Sequence, residues 1–183
     1  MIEESYLIEA IAKLMENRKS IESETLNHIN WIVNNVITKV VKKELTLVEL
    51  NLTATSKLLA DNFINAKRHE DLLVCIRMMS ELSDQNTCLI PVMATQEVIS
   101  KLCDLLQSSE NEAATEATVK CLSTMFASPD HSIIEIALIK GVLKSFNYVL
   151  GDAPKSIVNL ALFGLSNIAA GTKSQSRAIL HEN

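Results

Sequence analysis

Aromatic residues make up only 4% of this 183-residue sequence, as four Phe, two Tyr and one Trp, and there are just four Gly and three Pro. Sandwiches and barrels need aromatic and β-branched strands punctuated by Gly- and Pro-rich turns, so that scarcity argues against an all-β protein. Basic charge is also in short supply: 17 Lys and Arg against 22 Asp and Glu leave a net charge of −5 and a pI near 5.4. A general nucleic-acid binder is disfavoured by that balance. The basic pairs Lys42-Lys43 and Lys67-Arg68 are too sparse for a phosphate-binding patch. No apolar run approaches the roughly 18 residues that would span a membrane, and the first residues, MIEESYLIEAIAKL, carry acids where a signal peptide needs positive charge. The expectation is an intracellular protein without a membrane partner.

Chemistry-bearing motifs are missing as well. There is no Gly-rich phosphate loop, no nucleophile elbow and no HExxH, so neither catalysis nor a cofactor is expected. Cys75, Cys88, Cys103 and Cys121 lie 13, 15 and 18 residues apart with no CxxC, and His28, His69, His131 and His181 are scattered. These spacings point to reduced, mostly buried thiols and solvated histidines rather than a metal centre. The sequon at Asn51 has meaning only along a secretory route.

What the chain does have is 48% hydrophobic residues, rich in Leu, Ile and Ala, enough to bury a continuous core. Its clearest element is IVNLALFGLSNIAAGT, residues 157–172. Ile157, Ala161, Leu165 and Ile168, with Val158 and Leu162, are expected to form an apolar stripe at helical spacing. Phe163 and Asn167, four residues apart, stand one above the other on a different face. One helix thus has a burying side and a presenting side.

In chain order, residues 4–17 read as an amphipathic helix through Leu7, Ile8, Ile11 and Leu14. Ser20 offers an N-cap to a long helix in which Trp31 and Asn35 lie off the stripe of Ile29, Val33 and Val36. Two helices are expected over 42–64, with a bend near 50–53, then helices over 69–82, 86–94, 97–107 and 112–127. Pro129 stops the last of these, a short helix follows from 130 to 140, and Gly141 is placed as a left-handed cap before a helix over 142–150.

The matching positions on the long helices are Trp31/Asn35, Ile76/Ser80, Lys120/Thr124 and Phe163/Asn167. Steps from 31 to 76, 76 to 120 and 120 to 163 are 45, 44 and 43 residues. A helical period of roughly 40 to 47 residues is that of armadillo and HEAT repeats, and a long third helix that presents a face favours armadillo. The expected fold is therefore an all-α, right-handed superhelical armadillo solenoid of about four repeats of three helices. The expected repeats are 1–41, 42–84, 85–128 and 129–172, with 173–183 beginning another. A compact bundle of evenly spaced helices is the alternative.

At these residues the sequence resembles importin-α, the armadillo adaptor that reads nuclear localisation signals. LFGLSNIAAGT, residues 162–172, is similar to that family's WALSNIAAGT-type motif, with Phe163 in place of tryptophan and Asn167 kept. Trp31-Ile-Val-Asn-Asn35 resembles a second copy. EVISKLCDLL and IALIKGVLKSF resemble second-helix boundaries, and Lys120 falls where a central repeat of the family has a basic residue. The resemblance runs from about residue 20 onward and fits the middle four of about ten repeats. It implies a groove in which an extended peptide lies along the third helices. Asparagine amides hold its backbone, aromatic faces carry lysine stems, and carboxylates take the cationic heads.

Carried over, the peptide-binding residues are Trp31, Asn35, Ile76, Ser80, Lys120, Thr124, Phe163 and Asn167. The sequence departs from the family three positions before each aromatic. His28, Leu73, Ala117 and Leu160 stand where some family repeats are acidic. Glu24 and Glu116 are the nearest acids, and Glu116, four residues before Lys120, is positioned to pair with it. The expected function is a protein-binding adaptor for nuclear import, cytoplasmic and nuclear, recognising localisation signals or other extended peptides. An armadillo scaffold that binds proteins without classical signals is the alternative, favoured by Leu73, Ile76, Leu160 and Phe163. The resemblance also implies an import carrier of the importin-β type as a partner, through a basic segment expected to lie outside this sequence. A fragment, or copies pairing through open solenoid ends, is expected from the lack of polar capping units.

Overall fold

The computed structural model describes residues 52–108 and 111–181, together with the helical residues Thr25, His28, Trp31, Ile32 and Asn35. The expected helix over 4–17, the cap at Ser20, Glu24 and the Lys42-Lys43 pair lie outside the described residues. Among the described residues the structure contains α-helices and one 3₁₀ turn, with no strand. The elements are α1 (Leu52–Asn65), α2 (His69–Gln85), a 3₁₀ turn (Thr87–Leu89), α3 (Ile90–Met93), α4 (Gln96–Ser108), α5 (Glu112–Met125), α6 (Ser132–Ile139), α7 (Val142–Asp152), α8 (Lys155–Ala169) and α9 (Lys173–His181).

Local chemistry sets most of these boundaries. Asn111 caps α5, its side-chain oxygen accepting from the N–H groups of Ala113 and Ala114 at 2.9 and 3.3 Å. Asn86 likewise accepts from the Cys88 N–H and starts the 3₁₀ turn. Pro91 sits in the first turn of α3, where its missing N–H costs nothing. Gly141, between α6 and α7, takes φ +77°, the left-handed conformation expected of it, and lets the chain reverse within one residue.

The tertiary pattern is a stack. α5 packs on α2 along one side and on α8 along the other, while α4 packs on α1 and on α7. Equivalent helices one repeat apart thus lie against each other in two parallel rows, the arrangement of a solenoid rather than of a closed bundle. One continuous core runs through both rows, from Leu59 and Phe63 through Met79, Ile99, Leu122 and Phe146 to Ile168. Ile32 also packs against it, which ties the Trp31 helix to the same body.

Polar side chains fasten one repeat to the next. The Lys101 ammonium donates to the carbonyls of Phe63, Ile64 and Ala66 at 2.8, 3.0 and 3.4 Å, closing the carboxyl end of α1. It also lies 5.0 Å from the centre of the Phe63 ring. Burial holds the Lys101 pKa below its ordinary value. Gln175, 1% exposed, donates to the His131 carbonyl at 2.9 Å and accepts from the Thr172 N–H at 3.0 Å, locking α9 to the start of α6. Cys75, Cys103 and Cys121 are buried thiols whose pKa burial pushes up to about 12, whereas Cys88 is exposed.

Candidate peptide-binding face

The third-helix row consists of α2, α5 and α8; of the helix that carries Trp31, Ile32 packs against the core. Apolar stripes decide which side of each helix is left over. On α8, Ile157, Ala161, Gly164 and Ile168 are buried, and the exposed remainder includes Asn159, Phe163 and Ser166. Leu162, expected on the apolar stripe, is instead half exposed, because it lies one residue round from Ala161 on the side turned to solvent with Phe163. Gly164 permits the close approach of α8 to its neighbours. A Cβ there would lie 2.4 Å from Ser123 Oγ and 2.7 Å from Phe146 Cε2.

The aromatic positions divide sharply by exposure. Trp31 is 67% and Phe163 48% exposed, while Ile76 at the equivalent place on α2 is 2% exposed. Trp31 is exposed, as expected of a residue off the apolar stripe, while the stripe residues Ile29, Val33 and Val36 lie outside the described residues. Ile76 has been drawn into the contact between α2 and α5, so as placed it presents nothing to a ligand. It contributes instead to the wall of a cavity of about 480 Å³, lined also by His69, Leu72, Leu73, Leu105 and Ala114.

The positions four residues on behave differently from free amide clamps. Ser80 and Thr124 are buried, 1% and 7% exposed, and their hydroxyl oxygens are 3.2 Å apart across the α2–α5 contact. Thr124 also donates to the Lys120 carbonyl of its own helix. Two short hydroxyl side chains let the helices close over the place where a longer amide would reach out. Asn167 is half-buried, and its amide donates at 3.0 Å to the Ser123 carbonyl on α5, 44 residues back. Ser123 in turn donates to the Leu160 carbonyl at 2.8 Å. Asn35 is exposed and donates at 2.8 Å to the Trp31 carbonyl one turn earlier. In this structure both asparagine amides are engaged with backbone of the protein itself.

Lys120 replaces an aromatic in the row, and its partner differs from the one its own helix offers. The ammonium is 2.6 Å from Glu81 Oε1 on α2, and both side chains remain partly open to solvent, 40% and 36% exposed. The expected pairing with Glu116 on the same helix is replaced by this bridge between neighbouring third helices. Glu81 is the functional candidate that the sequence reading missed. It lies 39 residues before Lys120, one repeat back and about one turn further along the helix, a relation set by how the helices stack.

His28, His69, His131 and His181 are exposed, and no group of three or more potential metal ligands occurs among the described residues. No helix among those residues is long and apolar enough to cross a membrane.

No protein-family model and no curated protein matches the sequence, so the likeness to importin-α rests on the residues quoted above. Solved structures do match. A designed armadillo repeat protein in complex with the peptide (KR)4 superposes with a TM-score of 0.67 at 16% identity, over 93% of this chain and 69% of that one. Computationally designed armadillo repeat proteins for modular peptide recognition give 0.67 at 17% identity, over 93% and 69%. A further designed armadillo repeat protein gives 0.64 at 18% identity, over 98% and 73%. Likeness at this identity speaks for fold alone, and together with the two stacked helix rows it makes the chain an all-α solenoid of the armadillo type.

Proposed function

We propose that this chain is a protein-binding adaptor that takes an extended segment of another protein along its third-helix row. The observation that carries the reading is the sorting of that row. Of the four equivalent positions, 31, 120 and 163 stay open as Trp, Lys and Phe while 76 is closed over, and α2, α5 and α8 are fastened to one another by buried contacts. A rigid scaffold with exposed anchors set along one row of helices is what recognition of an extended chain requires. A structurally similar designed protein is complexed with (KR)4, which supports a peptide as the class of ligand.

The importin-α resemblance narrows this to a basic localisation signal, with nuclear import between cytoplasm and nucleus as the setting. Trp31 and Phe163 would supply the surfaces for lysine stems. Asn35 and Asn167 would have to turn their amides from protein backbone to peptide backbone. Fluorescence anisotropy of labelled (KR)4, against an uncharged peptide of equal length, tests the assignment. Binding that weakens with added salt and falls about fivefold or more in Trp31→Ala and in Phe163→Ala is expected. Absence of (KR)4 binding at high micromolar protein would remove the localisation-signal assignment.

Exposed Leu162 beside Phe163, and Val74 on α2, favour a second reading in which an apolar segment docks without classical signal recognition. That reading expects a salt-insensitive interaction with an amphipathic peptide.

A further inference from the structure

The third-helix row holds a cation and a carboxylate that already satisfy each other. Lys120 occupies the place that Trp31 and Phe163 occupy on their helices, and its stem leads the ammonium back to Glu81, 2.6 Å away on the preceding third helix. The four positions where the resemblance would supply carboxylates are His28, Leu73, Ala117 and Leu160. Glu81 restores such a carboxylate from a different place in the repeat.

We propose that Glu81 is an acidic subsite of the peptide-binding row and that Lys120 is its built-in competitor, occupying it as a lysine or arginine of a basic ligand would. The inference rests on the peptide-binding reading above and adds a specificity-determining pair to it. Three features fit. The pair lies between α2 and α5 with both side chains about two-fifths open to solvent, so a ligand cation can reach the same carboxylate. An ion pair of that exposure is weak, so a ligand cation can displace it at a small cost in affinity. Lys120 is also flexible and long enough to leave without disturbing the buried Ser80–Thr124 contact behind it. The consequence is selectivity: the row accepts a basic segment only when its other contacts outweigh exchange at Glu81.

The test is anisotropy of labelled (KR)4 with the full chain and four variants. Lys120→Met, which keeps the stem and removes the charge, is expected to bind about two- to fivefold more tightly than wild type. Lys120→Arg keeps the competitor and is expected to bind as wild type does. Lys144→Met on α7 removes the same charge from an exposed site elsewhere and controls for net charge. Glu81→Gln combined with Lys120→Met is expected to cancel the gain. Equal gains in Lys120→Met and Lys144→Met would overturn the proposal by reducing it to net charge. A gain that survives Glu81→Gln would overturn it by removing the subsite. Wild-type binding without any gain in Lys120→Met would sink the competitor alone and leave the peptide-binding reading intact. No binding in wild type or in Lys120→Met would sink the competitor and the localisation-signal assignment together. Circular dichroism of each variant confirms an unchanged helical fold.

Discussion

Substituting Gly164 by Ala offers a sharp test of the helix stack, because two opposing effects can be compared in size. In an exposed helix the change would stabilise by about 1 kcal/mol through backbone propensity. Gly164 is buried in α8, however, and a methyl group there would stand 2.4 Å from Ser123 Oγ, 2.7 Å from Phe146 Cε2 and 3.1 Å from Ser123 Cβ. Neither neighbour yields readily. Ser123 is 0% exposed and its hydroxyl holds the Leu160 carbonyl, while the Phe146 ring is 0% exposed and lies 6.3 Å, centre to centre, from Phe126. Overpacking a rigid site of this kind costs about 2–3 kcal/mol. The net expectation is a loss of about 1–2 kcal/mol, read as a fall of roughly 2–8 °C in the thermal midpoint followed by circular dichroism at 222 nm. Ser123→Ala in the same background removes the nearest clash and is expected to recover part of the loss. A Gly164→Ala midpoint at or above wild type would refute the close α5–α8 approach and, with it, the register of the third-helix row.

Other consequences follow from the fastenings between repeats and from the thiols. In native protein at pH 8, a thiol reagent is expected to label Cys88 quickly and Cys75, Cys103 and Cys121 only after denaturant is added, since those three are buried with pKa pushed up to about 12. The same shift makes stability pH-dependent. Between pH 9 and 12 the unfolded chain releases thiol protons that the folded chain retains, so these groups lower stability as pH rises. Lys101, with its folded pKa depressed, acts in the opposite sense below 10.5 but is a single group. A urea midpoint that rises above pH 9 would contradict the burial of the thiols. Lys101→Met leaves three carbonyls at the end of α1 without their donor and is expected to cost about 1–3 kcal/mol in urea unfolding. Gln175→Ala strands the His131 carbonyl and the Thr172 N–H and is expected to raise hydrogen exchange in α9 first.

Much of the fold could be read from residue order. Apolar residues at 3.6-residue spacing placed α4 within a residue of its observed ends, and Pro129 and Gly141 marked where the chain turns. The spacings of 45, 44 and 43 residues point to stacked units, because units of equal period that cannot each close a core bury their apolar faces by lying side by side. The first of the two helices expected over 42–64 lies outside the described residues, and the second corresponds to α1.

The site was less legible. Helical spacing anticipated that Trp31 and Phe163 would be exposed, since that question concerns one helix at a time, although it put Leu162 on the buried side. It could not show that Ile76, Ser80 and Thr124 would be closed over by the neighbouring third helix. Nor could it show that the Asn167 amide would turn to the Ser123 carbonyl, or that Lys120 would choose Glu81 over Glu116. The sequence by itself determined the helices, their apolar faces and their period, which depend on residues within a few turns of one another. Only the tertiary structure decided which presenting residues remain open and which acid meets which base. Those outcomes depend on the offset between helices 39 to 44 residues apart, which is set by side-chain packing, with Ser80 against Thr124 between α2 and α5 and Gly164 against Ser123 and Phe146 at α8, rather than by any local rule.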